Sequence, residues 1–163
     1  MTPFDQSLLI AWHSRTGTAR ALAHAAEEGA GDAARLIACE DVTPEDLRAA
    51  GAYLFVFPEN LATMTGAMKE MFDRCYYPVL GAVEGRAYAT IIAAGTDGEG
   101  AQRQIDRIAT GWRLRRVIEP MIVRTGAQTP DAILAPKAVD SVQREAAAAL
   151  GTAMAEGLRL GIF

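Results

Sequence analysis

The sequence predicts an α/β chain built on a doubly wound, five-stranded parallel sheet with helices on both faces. Three observations carry that expectation. Five apolar runs alternate with five stretches of helical periodicity. No internal repeat, linker or low-complexity tail interrupts the series, so the 163 residues read as one domain, 1–163. The three loops of most unusual composition follow the first, third and fourth apolar runs, and ligands bind such sheets beyond the carboxyl ends of the strands.

Each element has a local reason. Residues 7–12 (Ser-Leu-Leu-Ile-Ala-Trp) form a buried strand. Ala19, Leu22, Ala23 and Ala26 share one face of a helix over 18–28, which Gly29 and Gly31 stop. Residues 33–38 make a second, weaker strand. Thr43-Pro44-Glu45-Asp46 opens a short helix with a capping hydroxyl, a first-turn proline and acids behind it. Residues 52–57 (Ala-Tyr-Leu-Phe-Val-Phe) give the clearest strand signal. A loop over 58–64 leads into a helix from Thr65 to Tyr76 that buries Met68, Met71, Phe72 and Cys75. Residues 86–94 form the fourth strand. After a glycine-rich loop, a helix sets Ile105, Ile108, Ala109 and Trp112 on one face and ends in Arg113, Arg115 and Arg116, suited to its negative end. Pro120 interrupts the fifth strand, 117–124, and assigns it to a sheet edge. Residues 125–136 read as a loop, and an alanine-rich helix over 137–158 closes the chain.

The totals narrow the function. A net charge of −4 and a pI near 5.2 give no support to nucleic-acid binding. Mean hydropathy is +0.08, and no apolar run approaches the roughly 20 residues a membrane span needs. Met1-Thr-Pro-Phe-Asp-Gln6 lacks the basic-then-apolar order of a signal peptide. Cys39 and Cys75 sit in core-like settings and read as small buried hydrophobes in a reduced, cytoplasmic environment.

The first loop, Ser14-Arg15-Thr16-Gly17-Thr18-Ala19, sits between a strand and a helix start. Helix N-termini present unpartnered N–H groups and favour negative charge; the hydroxyls add donors and Gly17 lets the backbone come close. This is a phosphate site in sequence form, although Ser and Thr also cap ordinary helices. Arg15 and Arg20 read equally as phosphate partners or as solvated surface residues. The second loop is polar at Glu59 and Asn60 and apolar at Leu61 and Met64. Together with Pro58, Ala62 and Thr63 it suits one face and the hydrogen-bonding edge of a flat ring, or a connection whose Leu and Met cap the core. The third loop, Gly95-Thr96-Asp97-Gly98-Glu99-Gly100, is rich enough in glycine for close backbone approach to a ligand. Its acids argue against a phosphate there; they either accept from ring N–H groups or complement the next helix N-terminus.

Other chemistries lack their residues. There is no Gly-x4-Gly-Lys-Ser/Thr loop, no Gly-x-Gly-x-x-Gly fingerprint and no Gly-x-Ser-x-Gly elbow. His13 and His24 have no metal spacing. Neither Cys39 nor Cys75 is followed closely by the arginine a cysteine-phosphatase loop needs. A phospho-acceptor receiver needs acids where this chain has His13, Ser14 and Pro58.

The first loop resembles the Ser/Thr-x-Thr-Gly-x-Thr pattern of the flavodoxin-like FMN proteins, at Ser14, Thr16, Gly17 and Thr18. The segment Met64-Thr-Gly-Ala-Met-Lys-Glu-Met-Phe-Asp-Arg74 is similar to the Gly-x-Met-Lys-x-Phe-x-Asp-Arg helix of their NAD(P)H-dependent FMN and quinone reductase branch. The resemblance implies a flavodoxin-like strand order of 2-1-3-4-5 and FMN as cofactor. Its phosphate would sit on Ser14 to Thr18 with the Ala19 N–H, and its ring between 58–64 and 95–100. NAD(P)H would be the electron donor and a quinone, flavin or other small molecule the acceptor. No side chain need act as acid or base in hydride transfer, so no catalytic residue is named. Many members complete the site in a homo-oligomer; Tyr76, Tyr77 and Trp112 are possible wall-formers here, or ordinary core and surface residues.

Two readings follow, with a third behind them. The first is an FMN-dependent oxidoreductase, favoured because neither 58–64 nor 95–100 contains an aromatic to cover the ring. The second is a flavodoxin-type electron carrier, for which −4 is a weak steering charge. The third is a scaffold that has lost flavin, hinted at only by Arg15 within the phosphate loop.

Overall fold

The computed structural model describes residues 7–163; Met1–Gln6, where no signal-peptide order was read, lies outside the described residues. Strand β1 (Leu8–Trp12) has β2 (Ala34–Ala38) on one side and β3 (Ala52–Asn60) on the other, both parallel. Beyond β3 lies β5 (Ala87–Ala94), also parallel, and its outer edge is shared by β6 (Arg115–Arg116) and β7 (Met121–Arg124). Counting that broken edge strand once, the order is the expected 2-1-3-4-5. The break spans 117–120, where Pro120 has no N–H to give the ladder. A two-residue strand, β4 (Thr63–Met64), folds back antiparallel on the end of β3.

Both sheet faces are buried, which is why the strands are apolar without alternation. Leu8, Ile10, Leu54, Val56 and Ile91 pack under α1 (Thr18–Ala30) and α6 (Ser141–Arg159). Leu9, Tyr53, Phe55, Phe57 and Ile92 pack under α2 (Pro44–Ala49), α3 (Gly66–Val79) and α4 (Glu99–Gly111). Each Leu, Ile or Phe so buried contributes about 1.5–3 kcal/mol. A short helix, α5 (Pro130–Leu134), buries none of its residues. No helix of the described residues is long and apolar enough to cross a membrane.

Several boundaries differ from the sequence reading. Gly29 does not stop α1 but lies inside it, where a Cβ would meet the Ala148 carbonyl oxygen at 1.9 Å; Gly151 faces Ala26 in the same way at 2.0 Å. The two glycines let α1 and α6 cross backbone to backbone. α6 begins at Ser141 rather than 137, because Asp140 and Gln143 form a capping box there. The stretch read as a loop over 125–136 contains α5, capped by Thr129. α4 ends at Gly111, so Arg115 and Arg116 belong to β6 and do not complement a helix end.

Candidate functional site

Beyond the carboxyl ends of β1, β3, β5 and β7 lies a cavity of about 300 Å³, at the small end of the range for ligand sites. The strand order reverses between β1 and β3, the position at which sheets of this kind bind ligands. All three loops singled out in the sequence reach the cavity, and the 125–137 segment forms a fourth wall.

The first loop contributes Ser14, Arg15, Thr16, Thr18 and Ala19. Gly17 precedes α1 with φ +112°, and no side chain caps that helix. By contrast, α2 and α6 are capped by Thr43 and Asp140. The Gly17 N–H donates to Ser14 Oγ at 3.2 Å. Thr18 is 4 % exposed, and among the described residues its hydroxyl has no hydrogen-bond partner. An unsatisfied buried hydroxyl costs about 1–3 kcal/mol, and Thr18 is one of the residues that line the cavity. An open helix start and an orphaned hydroxyl are the donors an oxyanion requires. Arg15 reaches away from that end: its Nη1 donates to Asn60 Oδ1 at 2.7 Å, joining the first loop to the second. Arg20 is exposed and does not line the cavity.

The second loop is mostly strand. β3 continues through Asn60, Leu61 and Ala62 turn the chain at φ 53° and 64°, and β4 returns. Pro58, Glu59, Asn60 and Leu61 line the cavity, whereas Ala62, Thr63 and Met64 do not. Met64 is core, with its N–H on Gln104 Oε1 at 2.7 Å. The Glu59 carboxylate accepts the backbone N–H groups of Gly98 and Ala101, at 2.9 and 3.0 Å. It therefore caps α4.

Of the third loop, Gly95 and Thr96 line the cavity, and Asp97, Gly98 and Gly100 do not. The glycines serve packing between neighbours. A Cβ on Gly100 would meet Ala62 O at 2.2 Å, and one on Gly98 would meet Ile122 Cγ2 at 2.5 Å. Asp97 Oδ1 accepts the Glu99 N–H at 3.3 Å, so its role is at the helix start.

The fourth wall carries Thr125, Ala127, Ile133, Leu134 and Lys137, all missed in the sequence. Ile133 and Leu134 are 45 % and 63 % exposed, and Leu61 is 89 % exposed. Three of the chain's exposed large hydrophobics thus line one cavity. Among the described residues, no Trp, Tyr or Phe lines it. Trp112 is fully buried, stacked on Tyr76, with its Nε1–H donating to Tyr76 O at 3.0 Å. Tyr77 is exposed and likewise does not line the cavity.

The α3 residues of the reductase-like segment do not line the cavity. Lys69 pairs with Asp73 at 2.6 Å, and Arg74 donates to the carbonyls of Cys39 and Val42. Cys39 and Cys75 are free and buried. Burial, reinforced by Glu40, pushes the Cys39 thiol up to about 12, and burial also raises Cys75. Both are inert packing residues. At the end of β1, His13 Nδ1 lies 2.8 Å from Thr65 Oγ1, and burial lowers the imidazole pKa.

Neither protein-family models nor curated proteins give a match to this sequence. Solved structures do. A flavodoxin, WrbA-like protein from Agrobacterium tumefaciens superposes with a TM-score of 0.76 at 17 % identity, over 94 % of this chain and 98 % of that one. A flavodoxin from the domain Archaea gives 0.75 at 16 % identity, over 94 % and 99 %. The flavodiiron protein from Giardia intestinalis gives 0.74 at 15 %, over 95 % of this chain and 36 % of that one. The chain has the flavodoxin-like fold. At such identities the likeness defines the architecture alone.

Proposed function

We propose that this protein is an FMN-binding oxidoreductase that accepts hydride from NAD(P)H and passes electrons to a small-molecule acceptor. The observation that carries the reading is the uncapped start of α1 at the switch-point cavity, where Thr18, a lining residue, has a buried hydroxyl with no partner among the described residues. A phosphate monoester there takes up the α1 N–H groups and the hydroxyls of Thr16 and Thr18.

The rest of the cavity suits a flat, partly apolar ring. Pro58, Leu61, Ile133 and Leu134 offer apolar contact, and Gly95 and Thr96 line the cavity from the third loop. Bound FMN supplies the redox chemistry of the site. The chain's own task is to fix the ring at contact distance from its donor, which the Arg15–Asn60 hydrogen bond serves by tying the first loop to the hairpin. Among the described residues no aromatic side chain lines the cavity, which favours a ring face open to nicotinamide and then to an acceptor.

Visible absorbance with added FMN, followed by anaerobic NADH or NADPH, tests this. Bleaching within seconds supports the oxidoreductase. Bound flavin that neither nucleotide bleaches identifies an electron carrier, and no uptake at micromolar FMN defeats both. Thr16→Ala with Thr18→Ala is expected to weaken FMN binding about tenfold or more, because hydrogen bonds to a charged group are worth about 1.5–3 kcal/mol each.

A further inference from the structure

We propose that Lys137 is the cation that recognises the ligand's phosphate, and that it acts through Thr16. The proposal rests on the flavin-phosphate reading above and adds the residue that would select the phosphorylated flavin over riboflavin.

Lys137 lies 121 positions from Thr16 in sequence, yet the two are joined twice. The Lys137 backbone N–H donates to Thr16 O at 2.8 Å, and its Nζ lies 3.4 Å from Thr16 Oγ1. The seat is tight. A Cβ on Gly17 would strike Lys137 O at 2.8 Å, so the 125–137 segment rests on the loop only because position 17 is glycine.

The ammonium has three protons and no acceptor capacity. Its other two contacts are the carbonyls of Ile133 and Ala135, at 2.8 and 2.9 Å. All three partners are neutral oxygens. Among the described residues no carboxylate pairs with Lys137, whereas the chain's other lysine, Lys69, is paired with Asp73. A half-buried charge with no counterion therefore stands at the cavity wall. An entering dianion is the counterion it lacks.

The contact with Thr16 also has a direction. Thr16 Oγ1 accepts from the ammonium, so the hydroxyl's own proton is free to be donated elsewhere. Thr16 lines the cavity, and donation into it extends a chain from ammonium to hydroxyl to phosphate oxygen, with each bond polarising the next. Lys137 thus sets the donor sense of Thr16 as well as supplying charge.

Fluorescence titrations of the full chain with FMN and with riboflavin, at low and moderate salt, test the assignment. The wild type is expected to prefer FMN. Lys137→Met is expected to lose about tenfold or more on FMN and less than about twofold on riboflavin, with a flatter salt dependence. Lys137→Arg is expected to recover most of the preference. A Lys137→Met protein that keeps the full preference for FMN overturns the role of Lys137 and leaves the phosphate loop standing. Equal losses on both ligands overturn it too, by showing the lysine to be a strut for the 125–137 segment. A wild type that binds riboflavin as well as FMN, or binds neither, defeats the phosphate reading itself.

Discussion

The Glu59 carboxylate, at the end of the third strand, accepts the backbone N–H of Gly98 at 2.9 Å and so fastens the β3–β4 hairpin to the start of α4. The second oxygen takes the Ala101 N–H at 3.0 Å. One side chain thus joins two loops that border the cavity. Glu59→Ala leaves both donors without that acceptor, and an expected loss of about 1–2 kcal/mol follows from the value of a helix cap. Urea unfolding measures it. A loss within error would show that solvent caps α4 equally well.

Thr18 sets stability against binding. Thr18→Val keeps the side-chain shape and removes a hydroxyl that has no partner. The ligand-free variant is expected to be as stable as the wild type or more stable by about 1 kcal/mol, while FMN affinity falls. Paired unfolding and titration data check both signs. A marked loss of stability would show that the hydroxyl is already satisfied without ligand.

Leu61 and Ala62 form a two-residue hairpin turn with φ positive at both positions, a conformation that favours Asn-Gly. Each non-glycine residue held there costs about 1–2 kcal/mol. Leu61→Asn with Ala62→Gly is expected to raise stability by about 1 kcal/mol, part of the relief being offset by glycine's greater freedom in the unfolded chain. Flavin affinity is expected to fall, since Leu61 lines the cavity. Thermal unfolding and titration of the same variant read the two effects.

His13 gives the fold a pH dependence of known sign. Burial lowers its folded pKa below the ordinary 6.5, with Arg15 acting in the same direction and Glu40 against it. The unfolded chain then binds the proton more readily than the folded one. The contribution is present above about pH 6.5 and is lost as the pH falls from there toward the folded pKa. Stability profiles between pH 8 and 5 are expected to lose this slope in His13→Gln. An unchanged slope would assign it to other groups.

Much of the architecture was legible because its determinants are local. The strand from Ala52, the Thr43 cap and the interruption at Pro120 each follow from composition within a few residues. The cap that starts α6 was equally local, in Asp140 and Gln143, but the alanine run beside it obscured the boundary. Loop three divides. Gly95 lines the cavity, whereas the neighbours that Gly98 and Gly100 pack against, Ile122 and Ala62, are distant in sequence.

The sequence by itself determined the layered fold, the inert cysteines and the loops that border the cavity, because periodicity and turn chemistry act over short spans. Only the tertiary structure decided which residues of those loops reach the cavity. It turned Glu59 to α4, withdrew Met64 into the core and brought Lys137 onto Thr16. Those choices depend on how separate elements approach one another, and no spacing along a single chain records where residue 137 will meet residue 16.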